Sequence, residues 1–468
     1  MSWSQVSENR WKRPGNGLEG FFHVMESTSS SHCEGRQHFT IFSRLKIDIQ
    51  SLATDLEVQD KLRYAWKQLR YEQPQIAVTT EGFDKIYEVP DEAGIESWLD
   101  RTFIVSDVID GDVIGNEGAT IKQATLYYLP EASQLVLRAA HSIIDGVGTI
   151  LLWDSYLTAL FNPNPNLKFG SGEECLRLPP SLDVALGHPE TLPEETVAKG
   201  MELFGEAVSL MPGVGPVNKV GTVPSGPSQR RESEYSKKTT KAIVEACKQN
   251  GYSVTAAIHA AFVLTIVKHA DPAQLSDPKS SKYVTVNSFN LRSHLPESYS
   301  QFAAAVYYTT WPLIVDRPDK FKFEELVRLI DEKYKTSFND NPENIALCGA
   351  VNNALCDIVK TPEFWAAPPS RDALVSSLGI VERYLQQSYT PADEASPDNK
   401  NGITKVTVED FKFGTETILG QSMLFLYTFR DRLRVVFGFN EAYEDESHVQ
   451  TYLEDMQSIL LEGLQVVA

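Results

Sequence analysis

One stretch constrains this chain more than any other. Residues 135–160 read LVLRAAHSIIDGVGTILLWDSYLTAL. Residues 135–140 form an apolar run of strand length, and Ile150, Leu151, Trp153, Leu157 and Leu160 then fall at helical spacing. Between them stand His141, three spacers, Asp145 and Gly146. The pattern predicts strand, tight loop and helix, with a histidine at the strand's end. An imidazole titrates near neutral pH and a rigid strand fixes its direction, so His141 is a candidate general base. A histidine and an aspartate four apart also arise by chance, and Asp-Gly alone is a turn signal. The strand-to-helix context with apolar flanks raises this pair above that background.

The rest of the chain must build a scaffold around that loop. Its 468 residues exceed what one core supports, so two domains are expected. Residues 37–49 predict a strand, 56–69 a helix, 75–80 a strand, 92–101 a helix, and 124–129 with 135–140 a hairpin leading into His141. Alternating strands and helices are an α/β signature. Residues 162–232 are rich in proline and glycine and read as a crossover between domains, with a helix near 194–210. Helices are expected at 239–250, at 254–269 with Ser253 as N-cap, at 321–338 and at 447–464; strands at 283–289, 303–315, 374–380, 406–413, 422–429 and 433–439. The division is therefore 1–161, 162–232 and 233–468.

Charge narrows the partners. With 43 basic and 63 acidic residues the net charge is −20, which argues against nucleic acid or an anionic membrane. An anionic ligand would need a local basic patch. Five scattered cysteines, odd in number and without CxxC spacing, predict neither a disulfide framework nor a zinc site. The N-terminal MSWSQVSENRWKR has no apolar signal core, and the apolar stretch 256–267 is too short to span a bilayer. A cytoplasmic monomer without a membrane anchor is the expectation.

His141 to Gly146 resembles the HxxxDG motif of the CoA-dependent acyltransferases, a superfamily that includes chloramphenicol acetyltransferase, plant BAHD enzymes, fungal O-acetyltransferases and peptide-synthetase condensation domains. Condensation domains usually carry a second histidine where this chain has Ala140. The segment SFNLR resembles the family's N-x-R segment, VSSLG its Ser-rich strand, and DFKFG (residues 410–414) the DFGWG motif, with Lys412 and Phe413 in place of Gly and Trp. NGYSVTAAIHAAFVLTI and the ending FLYTFRDRLRVVFGFNEAY are similar to fungal members, nearest to trichothecene 15-O-acetyltransferase-like enzymes. The resemblance runs over nearly the whole chain, in one order. It implies an α/β fold of two chloramphenicol-acetyltransferase-like sandwich domains with an active-site tunnel between them.

It also implies roles. His141 would take the proton of an acceptor hydroxyl, and no covalent acyl-enzyme is needed when both substrates are bound together. Asp145 would be structural and pair with Arg292, while Gly146 leaves room near the histidine. Asp410 and Gly414 would support the site. The oxyanion donor is open among Ser376, Ser377 and Ser422, each of which reads equally as a strand serine. Gly379 and the lysines Lys237, Lys238, Lys279 and Lys282 are candidates for holding acetyl-CoA, with the lysines also reading as a solvated face. Acetyl-CoA is a co-substrate here; no tightly bound cofactor and no metal are expected. The acceptor implied is an apolar alcohol, a fungal terpenoid or polyketide. Two other readings stay open: a condensation-like enzyme using a carrier-bound acyl group, and a non-acylating member that binds, dehydrates or cyclises.

Overall fold

The computed structural model describes residues 2–116, 118–278, 280–338, 341, 343–366, 373–391 and 402–467. The first half supplies strands β1 (Ser4–Ser7), β2 (Arg10–Pro14), β3 (Ile41–Ser51), β4 (Thr79–Glu81), β5 (Asp84–Glu88), β6 (Phe103–Val105), β7 (Thr125–Leu129) and β8 (Gln134–Ala139). Its helices are α1 (Gly17–His32), α2 (Asp55–Glu72), α3 (Glu92–Thr102), α4 (Gly111–Asn116) and α5 (Gly146–Phe161). The second half supplies β9 (Ser228–Glu234), β10 (Lys282–Asn290), β11 (Tyr308–Asp316), β12 (Ala373–Ile380), β13 (Ser388–Tyr389), β14 (Ile403–Thr415), β15 (Ser422–Phe429) and β16 (Arg432–Asn440).

Local chemistry explains the elements nearest the site. Thr54 and Glu57 form a capping box that starts α2, and Val58, Leu62, Ala65 and Leu69 then line its buried face. Every residue of β8 is buried, as befits a strand paired on both edges. It lies between β3 and β7 in a six-stranded sheet of order β13-β14-β3-β8-β7-β6. A second sheet has the order β12-β15-β16-β9, and β10 pairs with β11. The hydroxyls of Tyr283 and Thr285 on β10 donate to the Ala373 carbonyl on β12, which sets the β10-β11 ribbon beside that sheet. A small sheet of order β1-β2-β5-β4 sits near the N-terminus.

Two strands cross the division expected at residue 233. β14 pairs along its length with β3, so a late segment completes the first half's sheet. β9, whose start lies in the expected crossover, pairs with β16 in the second sheet. The larger hydrophobic core accordingly mixes Ile41, Ala139 and Ile144 with Leu378, Phe411, Phe413 and Phe425. Two expected strands are shorter. Residues 75–80 give a 3-10 turn at Pro74–Ala77 followed by β4, because Pro74 opens a helical turn and the Gln75 side chain donates to the Ile143 carbonyl at 2.9 Å. Residues 303–307 leave the strand because their backbone is spent on Asp145 and Arg292. No single helix among the described residues is long and apolar enough to cross a membrane; Lys237–Asn250 with Val254–His269 passes by length and composition only as a pair bent by 99°.

Candidate active site

The loop after β8 is bound at both ends. At its later end Asp145 is the N-cap of α5 and accepts from Gly148 N at 2.6 Å. The same carboxylate receives Arg292 Nη1 at 3.0 and 2.8 Å and Tyr307 N at 2.8 Å. Arg292 Nη2 donates to the Ala305 carbonyl at 3.3 Å. Both charged side chains are buried, 4% and 6% exposed, so charge and hydrogen bonds are satisfied together. The approach is tight: a Cβ on Gly148 would stand 2.3 Å from the Ala303 carbonyl oxygen.

Three motifs converge on Gly146. A Cβ there would stand 2.6 Å from Leu378 Cδ2, of the VSSLG strand, and 3.4 Å from Phe413, of DFKFG. Gly146 therefore lets β12 and β14 close over the start of α5. Phe413 in turn packs edge-on against Phe425.

His141 stands at the loop's other end. Its ring lies flat on Phe22, with centroids 3.8 Å apart and planes 4° apart, while Tyr308 and Phe39 stand at 5.9 and 6.4 Å. One face of the ring is thus covered by Phe22, with two further aromatic rings close by. Burial pushes the imidazole down to about 4, opposed by its own carbonyl, the charge of Asp145 and the Ile144 carbonyl. His141 is therefore neutral at pH 7, as a base must be. His259 makes a useful contrast. It is also held low by burial, yet both of its nitrogens are engaged, by Tyr334 Oη at 3.1 Å and Tyr283 Oη at 2.9 Å. That is a satisfied core histidine. His141 Nδ1 is buried without a hydrogen-bond partner among the described residues.

The other sequence candidates divide by face. Register puts Phe411 and Phe413 on the face of β14 shared with the site, and Asp410, Lys412 and Gly414 on the opposite face. Asp410 pairs there with Arg434 at 2.5 Å and Arg44 at 3.5 Å, tying the two sheets together. Gly414 makes room for Arg230, whose Cδ would stand 2.8 Å from a Cβ; the guanidinium lies over Phe42 and donates to Asn116 Oδ1 at 2.8 Å. Neither lines a channel at His141.

Of the serines, Ser422 is withdrawn as an oxyanion donor, because its hydroxyl donates to buried Glu444. Ser377 is exposed and shares a 3.2 Å hydrogen bond with Thr255. Ser376 is half-buried in the strand that carries Leu378 to Gly146, and it keeps its candidacy. Gly379 is exposed in the left-handed region, φ 70°, beside an irregularity in the β12–β15 pairing, so it is explained by backbone shape.

The lysines sit apart from the loop. Lys237 pairs with Asp431 at 3.2 Å and Lys282 with Asp316 at 2.8 Å, both at the surface, while Lys238 is exposed. Lys282 begins β10, the strand whose far end reaches Asn290 beside Arg292, about 26 Å away along an extended chain. Lys279 lies outside the described residues. Among the described residues no group of three or more His, Cys, Asp and Glu side chains could hold a metal ion.

Sequence reasoning passed over helix α1, which brings Phe22 and Glu26 to the loop. Its signal was present in the spacing of Leu18, Phe22, Met25 and Ser29, but a glycine and four serines weaken the helical pattern.

A solved structure shares this fold. The trichothecene 15-O-acetyltransferase TRI3 from Fusarium sporotrichioides superposes with a TM-score of 0.80 over 98% of this chain and 97% of its own, at 17% identity. The EpoB cyclization-docking bidomain from Sorangium cellulosum shares the fold as well, with a TM-score of 0.64 over 97% of this chain and 86% of its own, at 13% identity. The chain is 28% identical to the acetyltransferase pigO of Monascus ruber, over all of this chain and 99% of that one. It is also 28% identical to the O-acetyltransferase pigM of the same organism, over all of this chain and 88% of that one. No family model matches the chain. Within this fold, the loop between β8 and α5 carries His141, Asp145 and Gly146.

Proposed function

We propose that this protein is an O-acyltransferase that moves an acetyl group from acetyl-CoA to a hydroxyl of an apolar fungal secondary metabolite, a terpenoid or polyketide, with His141 as general base. The observation that carries this reading is a neutral, half-buried imidazole on a loop locked by the Asp145–Arg292 pair. Full-length likeness to relatives named acetyltransferases supports acyl transfer.

The chemistry needs few parts. The acceptor oxygen attacks the thioester carbon as His141 takes its proton. Charge then develops on the thioester oxygen, for which the Ser376 hydroxyl is the sequence candidate that remains. The carbon–sulfur bond breaks, and the proton held by His141 passes to the departing thiolate. Aromatic groups around the imidazole suit an apolar alcohol rather than a charged one. CoA phosphates belong, in this reading, on the second half's side of the site, where Lys238 is exposed while its fellow candidates Lys237 and Lys282 are engaged in ion pairs. The enzyme works as a cytoplasmic monomer. Ala140 in place of a second histidine favours a free CoA donor over a carrier-bound one.

The test is thiol release from acetyl-CoA against a panel of hydroxylated terpenoids and polyketides. Acceptor-dependent release with formation of an ester is the expected result. Release only from an acylated carrier protein, or none with any member of the panel, would point to one of the other two readings.

A further inference from the structure

Helix α1 turns one face to the histidine loop. Glu19, Phe22 and Glu26 are spaced three and four apart, so they share that face. Glu26 accepts from Ser142 N at 3.3 Å and from Ser142 Oγ at 3.1 Å. Lys85 Nζ, on β5, donates to the Ser142 carbonyl at 2.6 Å and to Glu19 at 2.5 Å. Arg13 then closes on Glu19 through two bonds, at 2.6 and 3.0 Å. Arg13, Glu19, Glu26, Lys85 and Ser142 are all at most 6% exposed. Phe22, between the two glutamates, is the ring stacked on His141.

Burying this many charges is costly unless each is paired. A simple salt bridge would fix α1 to the small sheet, and Glu19 with Arg13 and Lys85 already does so. Glu26 adds nothing to that anchor. Its hydrogen bonds go to the residue after the base. Ser142 is held at its N–H and hydroxyl from one side and at its carbonyl from the other, so the peptides before and after Ser142 are each tied to a buried side chain.

We propose that Phe22, Glu26 and Lys85 are positioning residues for His141: Glu26 and Lys85 fix the backbone that carries the imidazole, and Phe22 fixes the ring plane and keeps one face dry. This rests on the reading of His141 as the base. The helix that holds the base thus comes from the N-terminal segment, and acts through Ser142 and the ring rather than on the substrates.

The charged and titratable groups around the ring bear on any test by pH. Asp145 is on its own loop, with Arg292 behind it, and Tyr308 is on β11. Glu26 is on α1, with Lys85 and Glu19 next in line. Phe22 and Phe39 bring no charge, so replacing Phe22 changes only stacking and dryness.

The test uses the full chain labelled with ¹³C at histidine. Nine histidines are present, and the His141 signal is the one lost in His141→Ala. In the parent it should titrate near 4, and Phe22→Ala should carry it towards the ordinary 6.5. Phe22→Leu keeps an apolar side chain over the imidazole but no ring, and should give a smaller shift in the same direction. In parallel, Glu26→Ala should lower kcat at least about tenfold, with the KM for acetyl-CoA nearly unchanged, since misplacing a catalytic group costs rate rather than binding. Glu26→Gln should recover most of the loss, because its amide oxygen accepts from Ser142 N and its amide nitrogen donates to Ser142 Oγ. If Glu26→Ala does not fold, the two Phe22 variants decide the matter by titration alone. Unmoved His141 titration in both Phe22 variants, or equal losses in Glu26→Ala and Glu26→Gln, would overturn the proposal. Turnover retained in His141→Ala would instead overturn the base assignment, while the titration still reports whether α1 governs the ring.

Discussion

The two ends of the HxxxDG loop are held in different ways. Asp145 is held by one compact knot: an arginine 147 residues away, two backbone N–H groups and its own helix. His141 and Ser142 are held by a file of alternating charges reaching from Arg13 through Glu19 and Lys85, with Glu26 beside it. In the first case a full negative charge meets a full positive one. In the second, burial raises the Glu26 carboxyl to about 7, so it binds the loop chiefly as a hydrogen-bonding group. The first end joins the two halves of the chain and the second stays within one. The difference suggests that the Asp145 end sets whether the loop forms and the His141 end sets how well the base is aimed.

The comparison breaks most visibly at Asp145. Asp145→Ala or Arg292→Ala leaves its partner buried and unpaired, and each should cost roughly 3–5 kcal/mol of stability together with most of the activity. Chemical denaturation and thiol release measure the two losses. A double-mutant cycle should show strong coupling, whereas additive effects would mean that the pair does not act as a unit.

Next in size is the oxyanion. Ser376→Ala should lower kcat about 10²-fold without loss of stability, if its hydroxyl is the donor. Ser422→Ala, which strips the partner from buried Glu444, should show the opposite: lower stability and an unchanged rate. An exchange of these outcomes would move the oxyanion site to the other strand.

Smaller still is the effect of pH. A base works when neutral, and burial lowers His141 to about 4, so activity should hold from pH 8 down to about 5 and fall as pH drops through 4. The same lowering means that unfolded His141 binds a proton first, so its contribution to stability is present above 6.5 and is lost as pH falls towards 4. A rate profile with its acid limb near 6.5 would show a solvated imidazole and contradict the stacked geometry. The smallest effect is expected at the surface. Lys238→Gln should raise the KM for acetyl-CoA by only a few-fold at low salt and by less as salt screens the charge. No change at low salt would remove the phosphates from this side of the protein.

How far the sequence reached follows the same line. The Asp145 end was legible because its partners are motif residues: HxxxDG and SFNLR carry the pair on their face. The strand-loop-helix around His141 was legible from periodicity, since β8 and α5 are apolar and short loops leave little choice. What stayed hidden was contributed by residues without a pattern. Helix α1 is interrupted by Gly20 and ends in serines, so its helical signal is weak, and Glu26 there reads as an ordinary surface acid. The exchange of β14 into the first sheet was hidden too, because a strand's own sequence does not say which edge it joins. The DFKFG segment showed its alternation but not its direction; only pairing with β3 turns Phe411 and Phe413 to the site and Asp410 and Gly414 away from it.

The most direct test of the account is a comparison of parent and His141→Ala proteins in acetyl-CoA thiol release with an acceptor that the parent acylates. The variant should fold as the parent does, because the Asp145–Arg292 pair and the bonds to Ser142 that hold the loop do not use the imidazole, and should lose at least about 10²-fold in kcat. A folded His141→Ala protein that still acylates at the parent's rate would contradict the central claim, since the loop would then be a support for chemistry done elsewhere.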